Sequence, residues 1–172
     1  TSSSAVAPTP PPTATPVSST TPLPTPYSPL PIPDFNGDGT AEIAVFRHRA
    51  GLWAVRGLTR VYFGASGDIP VEGDYDGDGR TDIGIFREAT GLWAIRSFSR
   101  MYFGAGGDIP VPGDYNGDGS WEPALFRPTT GLWAVAYLTR FYFGQSGDEP
   151  VPGDYTGDGS EEAGIFRDYS GL

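Results

Sequence analysis

Four times, at intervals of 40 residues, the chain writes an acidic loop, beginning at Asp34, Asp74, Asp114 and Asp154. The second copy, Asp74-Tyr75-Asp76-Gly77-Asp78-Gly79-Arg80-Thr81-Asp82, packs four carboxylates and two glycines into nine residues. Oxygen-bearing side chains recur at its first, third, fifth and ninth positions. They are Asp34, Asn36, Asp38 and Glu42, then Asp74, Asp76, Asp78 and Asp82, then Asp114, Asn116, Asp118 and Glu122, and finally Asp154, Thr156, Asp158 and Glu162. Alternate side chains converge on one point only where the backbone turns sharply, and glycines such as Gly37 and Gly39 allow that turn. An all-oxygen set of this kind suits a hard cation, with calcium the natural occupant. Up to four ions per chain are expected, one in each repeat. The seventh position (Thr40, Arg80, Ser120 and Ser160) is expected to offer its backbone carbonyl, so that the Arg80 side chain must point away. Thr156 is the poorest donor of the set, which predicts the weakest affinity in the fourth loop.

An EF-hand opens with the same spacing but needs a glutamate at position 12 and flanking helices. Position 12 here is Val45, Ile85, Leu125 or Ile165. Each lies in a short apolar run, such as Ile43-Ala44-Val45-Phe46, without helical periodicity. A chain of Asp-Gly turns that merely join strands is the plainer alternative. Four copies in register, each with an acid at the ninth position, favour the metal.

Thirteen of the 21 acidic residues stand at these first, third, fifth and ninth positions, against 11 arginines and no lysine, for a net charge of -10. Four divalent ions would bring the charge to about -2. The acidity therefore belongs to the loops, and it argues against a nucleic-acid partner. There is no cysteine, so disulfides and thiol chemistry are excluded. No stretch is long and apolar enough to span a membrane as a helix. The chain begins at Thr1 without a leader-like segment, as expected of a processed product.

Residues 1–33 differ from the rest: they hold 11 prolines and 13 serines or threonines, with no charge and no glycine. This composition favours an extended, proline-rich arm or linker, a stalk suited to O-glycosylation. Its end, Leu30-Pro31-Ile32-Pro33, echoes Ile109-Pro110-Val111-Pro112 ahead of the third loop. The repeat domain is expected over 34–172, divided as 34–73, 74–113, 114–153 and a partial 154–172.

Within a repeat the pattern is all-β. After the loop comes Ile83-Gly84-Ile85-Phe86-Arg87, with a small residue (Ala44, Gly84, Ala124, Gly164) that predicts an inner strand packed closely on a neighbour. Then follow Leu92-Trp93-Ala94-Ile95-Arg96, a tight reversal near Ser97-Phe98-Ser99, and Arg100-Met101-Tyr102-Phe103-Gly104. Prolines in Ile109-Pro110-Val111 predict an edge or irregular strand. The recurring aromatics (Phe46, Trp53, Tyr62, Phe63 and their copies) are expected to form the core. Trp121 breaks the period and is expected at the surface.

These strings, Phe63-Gly64 followed by Gly73-Asp74-Tyr75-Asp76-Gly77-Asp78-Gly79 and Asp82-Ile83, with copies from Phe103 and Phe143, resemble the FG-GAP/VCBS-like calcium-binding β-propeller repeat family over residues 34–172. The resemblance implies propeller-like blades, calcium at the loop positions above, and an extracellular or cell-surface place in adhesion, carbohydrate binding or surface structure. Thr156 and the number of repeats depart from the family. Three full repeats and a partial fourth do not close a ring. Together with the extended arm this predicts strand exchange between protomers and a head-to-tail filament.

The expected function is accordingly a non-catalytic extracellular structural protein whose main partner is itself. The alternative is a carbohydrate-binding or adhesion module of a larger secreted protein. Exposure of Trp53, Trp93 and Trp133 separates the two, a solvent-facing row favouring sugar binding. An enzyme is disfavoured: His48 is the one histidine, and other repeats replace it by Glu88, Pro128 and Asp168.

Overall fold

The structure, a computed structural model, describes residues 33–167. Among these there are strands and turns only, with no helix. The first sheet is a three-stranded antiparallel meander of β1 (Ala44–Arg47), β2 (Leu52–Val55) and β3 (Thr59–Tyr62). The second orders β4 (Ile69–Pro70), β5 (Gly84–Arg87), β6 (Leu92–Ile95) and β7 (Ser99–Tyr102) side by side. The third repeats that order with β8 (Ile109–Pro110), β9 (Ala124–Arg127), β10 (Leu132–Val135) and β11 (Thr139–Tyr142). A last pair joins β12 (Glu149–Pro150) to β13 (Ile165–Phe166). No sheet closes into a barrel among the described residues.

The proline-bearing strands are edges two residues long, as their missing N–H groups require. Each pairs with a strand that follows the next acidic loop, so a sheet straddles two sequence repeats. The small residue at the start of β5 is needed because a Cβ on Gly84 would stand 2.4 Å from the Val71 carbonyl oxygen. That carbonyl belongs to the same crossing, where the Val71 N–H donates to the Gly84 oxygen at 3.0 Å. The reversals between β2 and β3 and their copies place Gly57, Ser97 and Tyr137 in the left-handed region, at φ 79°, 65° and 61°.

Strand alternation gives each sheet two apolar faces of different character. On one face Phe86, Trp93 and Met101 align across β5, β6 and β7. On the other, Ile85 and Ala94 align. The clusters join the aromatic face of one sheet to the aliphatic face of the next. Trp53 of the first sheet packs with Ile85 and Ala94 of the second, and Phe86 and Trp93 of the second pack with Leu125 of the third. Phe126 and Trp133 take Ile165 in the same way. The three indoles are at most 2% exposed and each donates to a carbonyl ten residues on, Trp53 to Phe63, Trp93 to Phe103 and Trp133 to Phe143. Truncating one of them to alanine costs about 3–5 kcal/mol.

Two expectations about aromatics are corrected. Tyr62, Tyr102 and Tyr142 do not join the core but are 75%, 77% and 75% exposed. They sit on the outermost strand and alternate with Val61, Met101 and Phe141, which take the inward positions. Trp121 is half-buried rather than free at the surface, its ring lying over Gly73, where an added Cβ would come within 2.3 Å of it. The proposed arm lies outside the described residues except for Pro33, whose carbonyl accepts the Glu42 N–H at 3.0 Å.

Candidate metal centres

Each acidic loop is built around its first aspartate. The Asp74 carboxylate accepts the N–H groups of Gly77, Asp78 and Gly79 at 2.8, 3.1 and 2.8 Å, and Asp34, Asp114 and Asp154 repeat this set. Gly77 and Gly79 adopt φ of 72° and 82°, which lets three successive donors point inward. The ninth residue closes the loop from the other side. One oxygen of Glu42, Asp82, Glu122 and Glu162 accepts the N–H of the second residue, at 2.7, 3.1, 2.9 and 2.8 Å. The second residue is aromatic and anchors the loop: Tyr75 is buried and its hydroxyl donates to the Val71 carbonyl at 2.9 Å.

Three loops bring acids together tightly enough to share a cation. Oxygens of Asp34, Asp38 and Glu42, of Asp74, Asp76 and Asp82, and of Asp154, Asp158 and Glu162 each lie within 4.8 Å of one another. The sets contain only hard oxygen donors, which fits a hard divalent cation and not a soft one. Asp114, Asp118 and Glu122 form no such group. The sequence ranks the fourth loop lowest, yet there Thr156 holds Glu162 through its hydroxyl at 3.1 Å and the acids still converge. Asn36 and Asn116 make the corresponding bonds to Glu42 and Glu122 at 2.6 and 2.7 Å. Their amide oxygens accept the N–H groups of Asp38 and Asp118, at 2.8 Å in both loops.

At the seventh position, the Thr40 hydroxyl and N–H both meet Asp38, and Ser160 does the same with Asp158. Ser120 donates its N–H to Asp118 at 2.8 Å. Arg80 leaves its own loop as expected: its side chain lies over Gly37 of the loop before, within 3.1 Å of where a Cβ would stand.

The loops form a connected column. The Asp34 carbonyl accepts the Thr81 N–H, the Asp74 carbonyl that of Trp121, and the Asp114 carbonyl that of Glu161, each at 2.7 Å. The first aspartate of one loop is thus tied to the neighbour of the ninth residue in the next.

Electrostatics push carboxyls of these loops in opposite directions. Burial pushes the Asp82 carboxyl up to about 6, and Asp76, Asp74 and Asp78 reinforce that. Glu122 moves the same way, again chiefly through burial. Glu161 rises to about 7 through burial and its place between Asp114 and Asp154. Asp38 and Asp158 move down, held by the hydroxyls of Thr40 and Ser160. For Asp34 burial pulls upward, but the N–H groups of Gly39, Gly37, Asp38 and Asn36 outweigh it and the carboxyl settles low.

A second acidic set escaped the sequence analysis. Asp68, Asp108 and Asp148 are buried and each binds an arginine 19 residues on through two parallel bonds. The Nε···Oδ1 distances are 2.7, 2.6 and 2.6 Å for Arg87, Arg127 and Arg167. The same carboxylates accept the N–H of Ala65, Ala105 and Gln145. They pin the turn before each short edge strand to the end of the strand it pairs with. Recurrence of Gly-Asp and Phe-Arg at the repeat interval was the available signal. His48 is exposed on a turn. No family model, curated protein or solved structure matches the chain.

Proposed function

We propose that this chain is a non-catalytic extracellular structural protein in which calcium locks propeller-like repeats and copies join head to tail into a filament. Asp34, Asn36, Asp38 and Glu42, with their equivalents in the other loops, would hold the ion, and the carbonyls of Thr40, Arg80, Ser120 and Ser160 complete the set. Bound calcium would supply the positive charge that lets crowded carboxylates stay ionised at neutral pH.

The observation that carries the assembly is the uncovered aliphatic face of the first sheet. Val45 is 50% exposed and Ile43 62%, whereas Ile85 and Leu125, which occupy the place of Val45 in the next two sheets, are 2% and 3% exposed. Arg47, in the place of Arg87 and Arg127, has no ion pair among the described residues. A groove of about 610 Å³ runs over this face past Ile43, Val45, Ala54 and Leu58. The partner that fits is the aromatic face of another such sheet, the contact this chain already makes internally. In the last sheet Val151 and Phe166 are 40% and 48% exposed, whereas Val71 and Phe86 are 4% and 0% exposed. The burial of Trp53, Trp93 and Trp133 weighs against a sugar platform built from tryptophan.

Negative-stain electron microscopy and light scattering of the purified chain test this. Calcium should give filaments that disperse on chelation, and V45R should abolish them while leaving the melting transition in place. Monomers at every concentration with calcium present would overturn the assembly.

A further inference from the structure

We propose that the exposed tyrosines on the outer strands form a binding row for an acidic polysaccharide. Tyr62, Tyr102 and Tyr142 end β3, β7 and β11 in the same register, opposite Leu52, Leu92 and Leu132. The three tyrosines are about three-quarters exposed, while Val61, Met101 and Phe141 beside them turn inward. An open tyrosine ring offers a flat apolar face with a polar tip, which suits the C–H face of a sugar.

The cations without an ion pair beside the row are arginines. Arg60, Arg100 and Arg140 stand two residues before each tyrosine, so alternation puts both on one side of the strand. All three are exposed and none forms an ion pair among the described residues. Although acids outnumber arginines 21 to 11, the stretches 48–67, 89–107 and 129–147 around the row contain no acid at all. Charge complementarity therefore selects an anionic partner.

A second arginine faces each station. Arg127, Leu132 and Tyr142 lie in one row across β9, β10 and β11, and Arg87, Leu92 and Tyr102 do so across β5, β6 and β7. A cleft of about 120 Å³ lies between Phe103 and Asp108 of one repeat and Arg127, Leu132 and Arg140 of the next, so it holds two arginines against one aspartate. Asp108 binds the Nε and Nη2 atoms of Arg127 and balances its charge, which leaves Arg140 as the cation without an ion pair at this cleft. Guanidinium groups recognise carboxylates by paired hydrogen bonds. Identical stations on successive packed sheets match a ligand that is itself periodic, and linked weak contacts then combine. A periodic sugar acid supplies both the ring for tyrosine and the carboxylate for arginine, whereas an acidic peptide supplies only the charge.

The test is affinity electrophoresis of the full chain in calcium-containing buffer, with hyaluronate, neutral dextran and polyglutamate as probes. Hyaluronate should retard the chain most. Y62A/Y102A/Y142A should weaken that retardation by about 100-fold, with smaller steps for single substitutions, as linked contacts predict. R60Q/R100Q/R140Q should erase the preference for hyaluronate over dextran. Unchanged melting transitions show that the variants fold. Hyaluronate binding that survives the triple tyrosine substitution overturns the proposal. So does equal retardation by polyglutamate, which would mark a general anion surface, or by dextran, which would mark a neutral-sugar site.

Discussion

At the scale of single residues, the loops combine groups that want opposite things. Asp82 and Glu161 have their carboxyls raised to about 6 and about 7 by burial and neighbouring acids. A carboxyl raised in the folded state binds protons more tightly there than in the unfolded chain, so its contribution to stability declines as pH climbs from the unfolded value of about 4 through the folded one. Asp34, Asp38, Asp118 and Asp158 are lowered, so their contribution is lost only on acidification below about 4. Without calcium the melting temperature should therefore fall between pH 5 and pH 7.5, and the gain on adding calcium should grow over the same interval. Calorimetric melts at the two pH values check this, and a gain that shrinks toward pH 7.5 would contradict it. The three acidic clusters were legible because oxygen donors at alternate residues leave a mark in the sequence. The aspartate–arginine pairs were not, because a lone Gly-Asp or Phe-Arg has no local signature. Only the pairing of a short edge strand with one on the far side of the acidic loop brings the partners together.

At the scale of elements, close approach rather than propensity sets the sheets. Gly84 lies where the edge strand crosses β5, and the group its Cβ would strike is the Val71 carbonyl, which cannot rotate away. The strand order was readable from alternation, small residues and prolines, but the sheet boundary was not. A sequence period has no preferred starting point, so division at the loops cuts every sheet at its edge strand. Gly84→Ala should cost about 1–3 kcal/mol as backbone shifts to relieve the overlap. Gly79→Ala meets nothing within 4 Å and should lose less, through its φ of 82° alone. Denaturant midpoints of the two variants compare them, and equal losses would show that Gly84 matters only for its flexibility.

At the scale of the molecule, three internal copies of one interface explain both the core and the uncovered face. Aromatic and aliphatic faces alternate along the stack, and the acidic loops run beside it as a hydrogen-bonded column. If the loops hold calcium as proposed, the column would let each brace the next, and binding should act on all the sheets together. Tyr62, Tyr102 and Tyr142 were misassigned to the core because their spacing matches that of the buried aromatics. Spacing alone does not report which strand of a meander lies outermost. The most direct test of the account is a thermal melt of the purified chain with millimolar calcium and with excess chelator at pH 7.5. Several sites filled well above their dissociation constants should raise the melting temperature by more than about 10 °C, in a single transition. Superimposable melts, with no calcium bound at equilibrium, would contradict the account.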